Sequence, residues 1–267
     1  SMANYPSFDP EKRQTYRGIK IKNRAIYDLI EPGSTIKPFI IYAALRNKVI
    51  DKSTIIDTAP GVIKLDNKEI KDWKYLGKVS TSDIIKLSSN IGAAKVSKKL
   101  SKKQLTRNLD SFGFGQSLFL NLPGSKNGSV PSHNSLSDSN HFSIGYGYGL
   151  SVSLMHLVNA YTMLANAGSQ TQLKYITNTD SADKKQVLDM QISNTVLDMM
   201  REVVHSPDGT GKKASVSGYT VYGKTGTVRK IKNGEYKKNI HNALFIGILG
   251  DPKPKYVCLL YTSPSPR

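Results

Sequence analysis

The hydrophobic period of this sequence changes about two-thirds of the way along, and that change restricts the folds open to it. Tyr219–Thr225, Ala243–Leu249 and Tyr256–Tyr261 are short runs rich in β-branched and aromatic residues. Asn233-Gly234 and Asp251-Pro252 stand between them as turn signals, so three sequential strands in an antiparallel meander are expected. Before this point the apolar residues recur at helical spacing. Pro38–Arg46 reads as an apolar helix, and Ser82 is placed to cap a short one running through Leu87. Ser101 is placed to cap another, carrying Leu105, Leu109 and Phe112 and closed by Gly113. Leu154, Leu157, Val158, Tyr161 and Leu164 form a longer face that ends near Gly168. Ser193–His205 supplies one more helix, with Val196, Met199, Met200 and Val203 inward. Gly124 to Asn140 is Ser/Asn/Gly-rich and reads as loop. The order predicts an α+β fold, a helical lobe followed by an antiparallel sheet flanked by helices.

Composition removes several function classes. The 267 residues suit a single domain able to bury a real core. Lys+Arg total 38 against 20 Asp+Glu, a net charge of +18, which invites a nucleic-acid reading. Most of these cations are lysine, whereas base and phosphate forks favour arginine. The densest run, Lys95, Lys98, Lys99, Lys102 and Lys103, has few interleaved aromatics on which bases could stack. We read it as solvated surface and expect no nucleic-acid partner. The single Cys258 excludes an internal disulfide and any cysteine-based zinc cluster; its apolar run suggests a buried, inert thiol. The five His are expected to be surface or satisfied structural residues. No metal or cofactor is implied. No stretch approaches the roughly 18 apolar residues of a membrane helix. Ser1-Met2 and Ser263–Arg267 resemble a tag remnant or truncation, which leaves 9–262 as the structured part.

Three short motifs can carry chemistry. In Glu31-Pro32-Gly33-Ser34-Thr35-Ile36-Lys37-Pro38 the proline tolerates only a helix's first turn, so a helix should begin close to Ser34. Lys37, three residues on, would face the same way. A serine needs a base to become a nucleophile, and a desolvated lysine is one. An ordinary helix start beside a surface lysine has the same spelling. Ser88-Ser89-Asn90-Ile91-Gly92 offers a proton-relaying hydroxyl and a peptide-binding amide, but also reads as a helix end closed by Asn and Gly. Lys224-Thr225-Gly226-Thr227 ends a strand. Gly218 to Thr225 also spells G-x-x-x-x-G-K-T, yet its middle is strand-forming and no helix follows, so a phosphate-cradling loop is rejected. The remaining strand edge could take an extended peptide, with Lys224, Thr225 and Thr227 meeting a terminal carboxylate.

S-x-x-K, S-x-N and K-T-G in this order form the signature of penicillin-interacting serine enzymes. With Asn23-Arg24-Ala25-Ile26, Asp28, Phe112-Gly113-Phe114-Gly115, Gly147-Tyr148-Gly149-Leu150 and Gly209-Thr210-Gly211, the chain resembles the transpeptidase domain of class B penicillin-binding proteins. The likeness is strongest to the division-specific peptidoglycan D,D-transpeptidases and runs from about Asn23 to Tyr261. The resemblance implies that Ser34 attacks the D-Ala-D-Ala carbonyl of a peptidoglycan stem peptide with Lys37 as base. Ser88 would relay a proton to the leaving amine, and Asn90 would bind the peptide. Lys224, Thr225, Gly226 and Thr227 would form the carboxylate-binding strand, with the backbone N–H groups of Ser34 and Thr227 as oxyanion hole. It further implies β-lactams as inhibitors, and division-complex membrane proteins including a partner glycosyltransferase. The expected setting is periplasmic, as the extracytoplasmic domain of an inner-membrane protein. A membrane anchor, a pedestal domain and a C-terminal helix of the family lie outside this sequence.

Two alternatives share the motifs: a serine hydrolase (D,D-carboxypeptidase or β-lactamase) and a non-catalytic penicillin-sensing receptor. None of the five Glu sits in the E-x-x-L-N setting of rapid acyl-enzyme hydrolysis. Ser125 replaces the glutamate that usually follows Leu122-Pro123-Gly124 in the family.

Overall fold

The computed structural model describes residues 2–5, 7, 9, 11, 12, 22–65, 68–118, 122–174, 184–232, 235–250 and 253–262. The chain enters through α1 (Arg24–Tyr27), and a 3₁₀ turn over Gly33–Ile36 runs straight into α2 (Lys37–Arg46). Helix α2 is buried almost all round, from Lys37 through Ala44, which marks it as the centre of the molecule. Each of its fully buried large apolar side chains contributes roughly 1.5–3 kcal/mol. Phe39 meets Phe112, Phe114 and Tyr161 edge to face, with ring centroids 4.7, 5.2 and 4.9 Å apart. The Tyr161 hydroxyl donates to the Thr35 carbonyl at 2.7 Å, tying this core to the 3₁₀ turn.

Two small antiparallel pairs follow: β1 (Ile55–Asp57) with β4 (Lys78–Ser80), and β2 (Val62–Leu65) with β3 (Lys68–Lys71). Then come α3 (Thr81–Lys86), α4 (Asn90–Lys99), α5 (Lys102–Ser111), α6 (Asp138–Gly145) and α7 (Leu154–Ala165). Another short pair, β5 (Ser169–Thr171) and β6 (Lys184–Gln186), precedes α8 (Met190–His205). The chain closes with β7 (Thr220–Lys232), β8 (Glu235–Gly250) and β9 (Pro254–Thr262) in the order β7-β8-β9, all antiparallel. The α+β class and the terminal meander agree with the sequence reading. The Asn233-Gly234 and Asp251-Pro252 turns lie outside the described residues.

Several local expectations change. Ser80, not Ser82, caps α3, because Asp83 stands three residues on to complete a capping box. Ser101 caps α5 as expected, with Gln104 as its reciprocal partner. Ser88 and Ser89 do close α3, Ser88 being left-handed after Leu87 and the Ser89 N–H donating to the Ile84 carbonyl at 3.1 Å, but Asn90 and Gly92 belong to the next helix and not to this end. Ser89 accepts from the Gly92 N–H and opens α4, a helix the apolar pattern did not reveal. The polar stretch after Gly124 ends early, since Ser137 caps α6 at Asp138.

Strand alternation corrects the reading of Cys258. On β8, Leu244, Ile246 and Ile248 are buried, and Ile248 and Ile246 pair with Val257 and Leu259 on β9. Cys258 therefore points to the opposite face with Tyr256 and Leu260, and all three are exposed. Among the histidines, His156 is buried and satisfied by Ser153 and the Gln116 carbonyl. His141 is buried with neither ring nitrogen bonded, which departs from the surface-or-satisfied expectation. The lysine run is partly paired: Lys98 and Lys102 both reach Asp138, at 3.5 and 3.0 Å.

Candidate active site

The 3₁₀ turn carrying Ser34 is held by close backbone approach. Gly33 has φ +53, and a Cβ there would lie 2.5 Å from Val228 Cγ2. Gly147 has φ +92, and a Cβ there would run into the Gly33 backbone. The Gly33 N–H donates to the Gly147 carbonyl, and Glu31 accepts from the Gly149 N–H at 2.9 Å. Helix α2 itself begins three residues after Ser34, at Lys37, with Pro38 in its first turn. Ser34 thus stands at the positive end of the combined helix.

Lys37 projects from the start of α2 into a fully buried site. Its Nζ lies 2.9 Å from Ser34 Oγ, 2.6 Å from the Ser88 carbonyl, 3.2 Å from Ser88 Oγ and 2.8 Å from Asn90 Oδ1. Four oxygen neighbours exceed the three bonds that either an ammonium or a neutral amine can make at once. In the neutral form two N–H groups can serve Ser88 O and Asn90 Oδ1, which leaves the lone pair for one hydroxyl proton. Burial pushes the Lys37 amine well below its ordinary value, with repulsion from Lys224 acting the same way.

Ser88 and Asn90 come from the turn between α3 and α4. Ser88 adopts φ +58, a left-handed conformation that costs a non-glycine residue roughly 1–2 kcal/mol. This break points both its carbonyl and its hydroxyl at Lys37. Ser88 Oγ also accepts from Lys224 Nζ at 2.9 Å, so it bridges two buried amines.

Lys224 reaches the same site from β7, an edge strand of the meander. It pairs in register with Ile246 and shares the buried face. Desolvation brings its amine down to about 7. Gly226 lies where the strand crosses the 3₁₀ turn, and a Cβ there would sit 2.8 Å from Thr35 Cγ2. Thr225 and Thr227 alternate to the other face. Thr225 Oγ1 is 3.3 Å from Thr210 Oγ1, while Thr227 is exposed. Every residue from Thr220 to Lys232 is strand, so the G-x-x-x-x-G-K-T spelling makes no phosphate loop.

The structure brings Ser34, Lys37, Ser88, Asn90 and Lys224 into direct contact and lays Gly226 against their turn. A separate open concavity, lined by Leu45, Ile50, Asp51, Ile192 and Asp198 among others, includes none of them. Asp72 and Trp73, which the sequence motifs do not single out, also reach the site, bonding to the turn that carries Ser88. Among the described residues no His/Cys/Asp/Glu group is arranged to hold a metal, and no helix is long and apolar enough to cross a membrane.

Comparison with known proteins gives the family of the chain. The family described as Penicillin binding protein transpeptidase domain matches residues 1–265. The chain is 34% identical over 257 residues to the probable peptidoglycan D,D-transpeptidase PbpC of Pseudomonas aeruginosa, covering 96% of this chain and 45% of that protein. It is 30% identical over 261 residues to the peptidoglycan D,D-transpeptidase FtsI of Escherichia coli K12, covering 97% and 44%. Among solved structures, the TP domain of Burkholderia pseudomallei penicillin-binding protein 3 superposes with a TM-score of 0.85 at 31% identity, covering 91% of this chain and 74% of that one. The chain spans less than half the length of these curated relatives.

Proposed function

Because the chain belongs to the penicillin-binding protein transpeptidase family, we propose that it is a serine D,D-transpeptidase that cross-links peptidoglycan stem peptides in septal wall synthesis. The observation that carries this reading is Ser34 Oγ 2.9 Å from the buried amine of Lys37, with Ser88 bridging Lys37 and Lys224. Lys37 takes the Ser34 proton as Oγ attacks the carbonyl between the terminal D-alanines. The carbonyl oxygen, negative in the tetrahedral intermediate, is received by the backbone N–H groups of Ser34 and Thr227, each such donor being worth about 10²–10³ in rate. The proton then passes through Ser88 to the departing D-alanine amine, which leaves an ester on Ser34. An acceptor stem-peptide amine attacks that ester, loses its proton to Lys37 and frees the serine.

Asn90 holds the peptide backbone of the donor. The donor carboxylate is anchored along the β7 edge beside Gly226 by the Thr225 and Thr227 hydroxyls, with Lys224, on the buried face of the same strand, acting behind them through its charge. A carboxylate arriving beside Lys224 favours its charged form, which burial disfavours. β-Lactams enter as donor mimics and stop at the ester. The FtsI names among the relatives support the septal reading; membrane proteins of the division complex, a partner glycosyltransferase and a periplasmic setting on the inner membrane belong to the same proposal.

The test is intact mass after incubation with a penicillin. One inhibitor per chain, stable for hours, is expected, and none in Ser34→Ala. Absence of an adduct in folded wild type removes the reading. An adduct lost within minutes moves it to the hydrolase alternative.

A further inference from the structure

The turn that bears Ser88 and Asn90 is closed on its α3 side by its own backbone, the Ser88 and Ser89 N–H groups donating to the Ile85 and Ile84 carbonyls at 3.3 and 3.1 Å, and its α4 side is held by another segment. Ser88 is left-handed, and its neighbours are gripped from outside by three consecutive residues at the end of β3. The Lys71 carbonyl accepts from Asn90 Nδ2 at 2.8 Å. Asp72 accepts from Ser89 Oγ at 2.8 Å, from the Asn90 N–H, and from the Ile91 N–H at 3.1 Å. Trp73 Nε1 donates to the Leu87 carbonyl at 3.0 Å. The residues on both sides of Ser88 are thereby fixed, while its hydroxyl and carbonyl stay turned to the lysines.

We propose that Asp72 is a positioning residue for the acyl transfer, its carboxylate holding the start of α4 so that Ser88 and Asn90 meet Lys37. This rests on the transpeptidase reading above. A carboxylate suits the position, since it satisfies two helix N-terminal donors and a hydroxyl at once and lies at the positive end of α4. It acts on Lys37 through charge as well. From β7 the Lys224 ammonium favours the neutral amine, and from the end of β3 the Asp72 carboxylate opposes it. The 3₁₀ turn and the α3–α4 turn present only uncharged groups to Lys37, namely Ser34, Ser88 and Asn90.

Two variants separate grip from charge. Asp72→Ala removes both. Asp72→Asn keeps an oxygen for the Asn90 and Ile91 N–H groups and loses the charge together with the oxygen that accepts from Ser89 Oγ. The readout is the second-order rate of Ser34 acylation by a fluorescent penicillin between pH 5 and 9, beside thermal unfolding of each protein. Asp72→Ala is expected to acylate about ten- to a hundredfold more slowly at its plateau, as for a lost charge-assisted hydrogen bond. Asp72→Asn is expected to keep most of the plateau while its acid limb moves to lower pH, because Lys37 becomes neutral more readily. If Asp72→Ala fails to fold, the limb of Asp72→Asn decides. An unmoved limb in Asp72→Asn, whatever the rate of Asp72→Ala, overturns the proposal. Wild type that takes no penicillin at all overturns the transpeptidase reading, and the proposal with it.

Discussion

Lys37 and Lys224 are both completely buried, and an ammonium without water releases its proton at lower pH than a solvated one. The consequence for stability has a definite sign. With the native Lys224 amine at about 7 and the unfolded one near 10.5, the unfolded chain binds the extra proton between those values. Stability therefore rises with pH across that window, by up to about 1.4 kcal/mol per unit for one such group, and the full cost is present below it. Urea unfolding at pH 7.5 and 9.5 should show wild type gaining about 2 kcal/mol more than Lys224→Met. Equal gains in the two proteins would show that Lys224 keeps its charge inside. At this scale the motif residues were legible because Ser34 and Lys37 are local to one turn, and the turn's geometry follows from Gly33 and Pro38. Asp72 was not legible. It meets Ser89 across 17 residues, and an isolated aspartate carries no spacing signal.

Helix starts are a matter of side chains competing for the same orphan N–H groups. Two serines lie near the start of α3, and the structure chooses Ser80, whose hydroxyl accepts from the Asp83 N–H while the Asp83 carboxylate returns to Ser80. Ser80→Ala is expected to cost about 1 kcal/mol and Ser82→Ala less than about 0.5. Chemical denaturation of the two variants checks this, and a larger loss in Ser82→Ala would return the cap to Ser82. Helix α2 was legible as an unbroken apolar run after Pro38, and α7 and α8 from period, because each of those two buries a wide apolar stripe. Helix α4 was hidden. Its buried residues are Ile91, Gly92, Ala93, Ala94, Val96 and Ser97, among which the small Ala93, Ala94 and Ser97 admit α6 at close range. A Cβ at Gly145 of α6 would stand 2.7 Å from the Ala93 carbonyl. Lysines at Lys95, Lys98 and Lys99 drew the reading toward charge instead.

Across the whole molecule the site is a junction: α2 brings Ser34 and Lys37, the α3–α4 turn brings Ser88 and Asn90, and β7 brings Lys224. The meander that delivers Lys224 has a buried face and, at β9, an open one bearing Tyr256, Cys258 and Leu260. Cys258 should react fully with a thiol-specific reagent in native buffer and leave penicillin acylation unchanged. Failure to react without denaturant would place a cover over that face. The charge of +18 sorts in the same way, since Lys37 and Lys224 are inside while Lys98 and Lys102 are spent on Asp138 at the surface. The sequence by itself determined the α+β order, the meander, the Ser34–Lys37 turn and the strand character of Lys224–Thr227. Each depends on period, proline, glycine or capping within a few residues. Only the tertiary structure decided which side of β9 is covered, because both of its faces are apolar and alternation alone cannot rank them. It alone joined Ser88 to two lysines and Asp72 to the start of α4, contacts between distant segments that arise from how helices and strands dock.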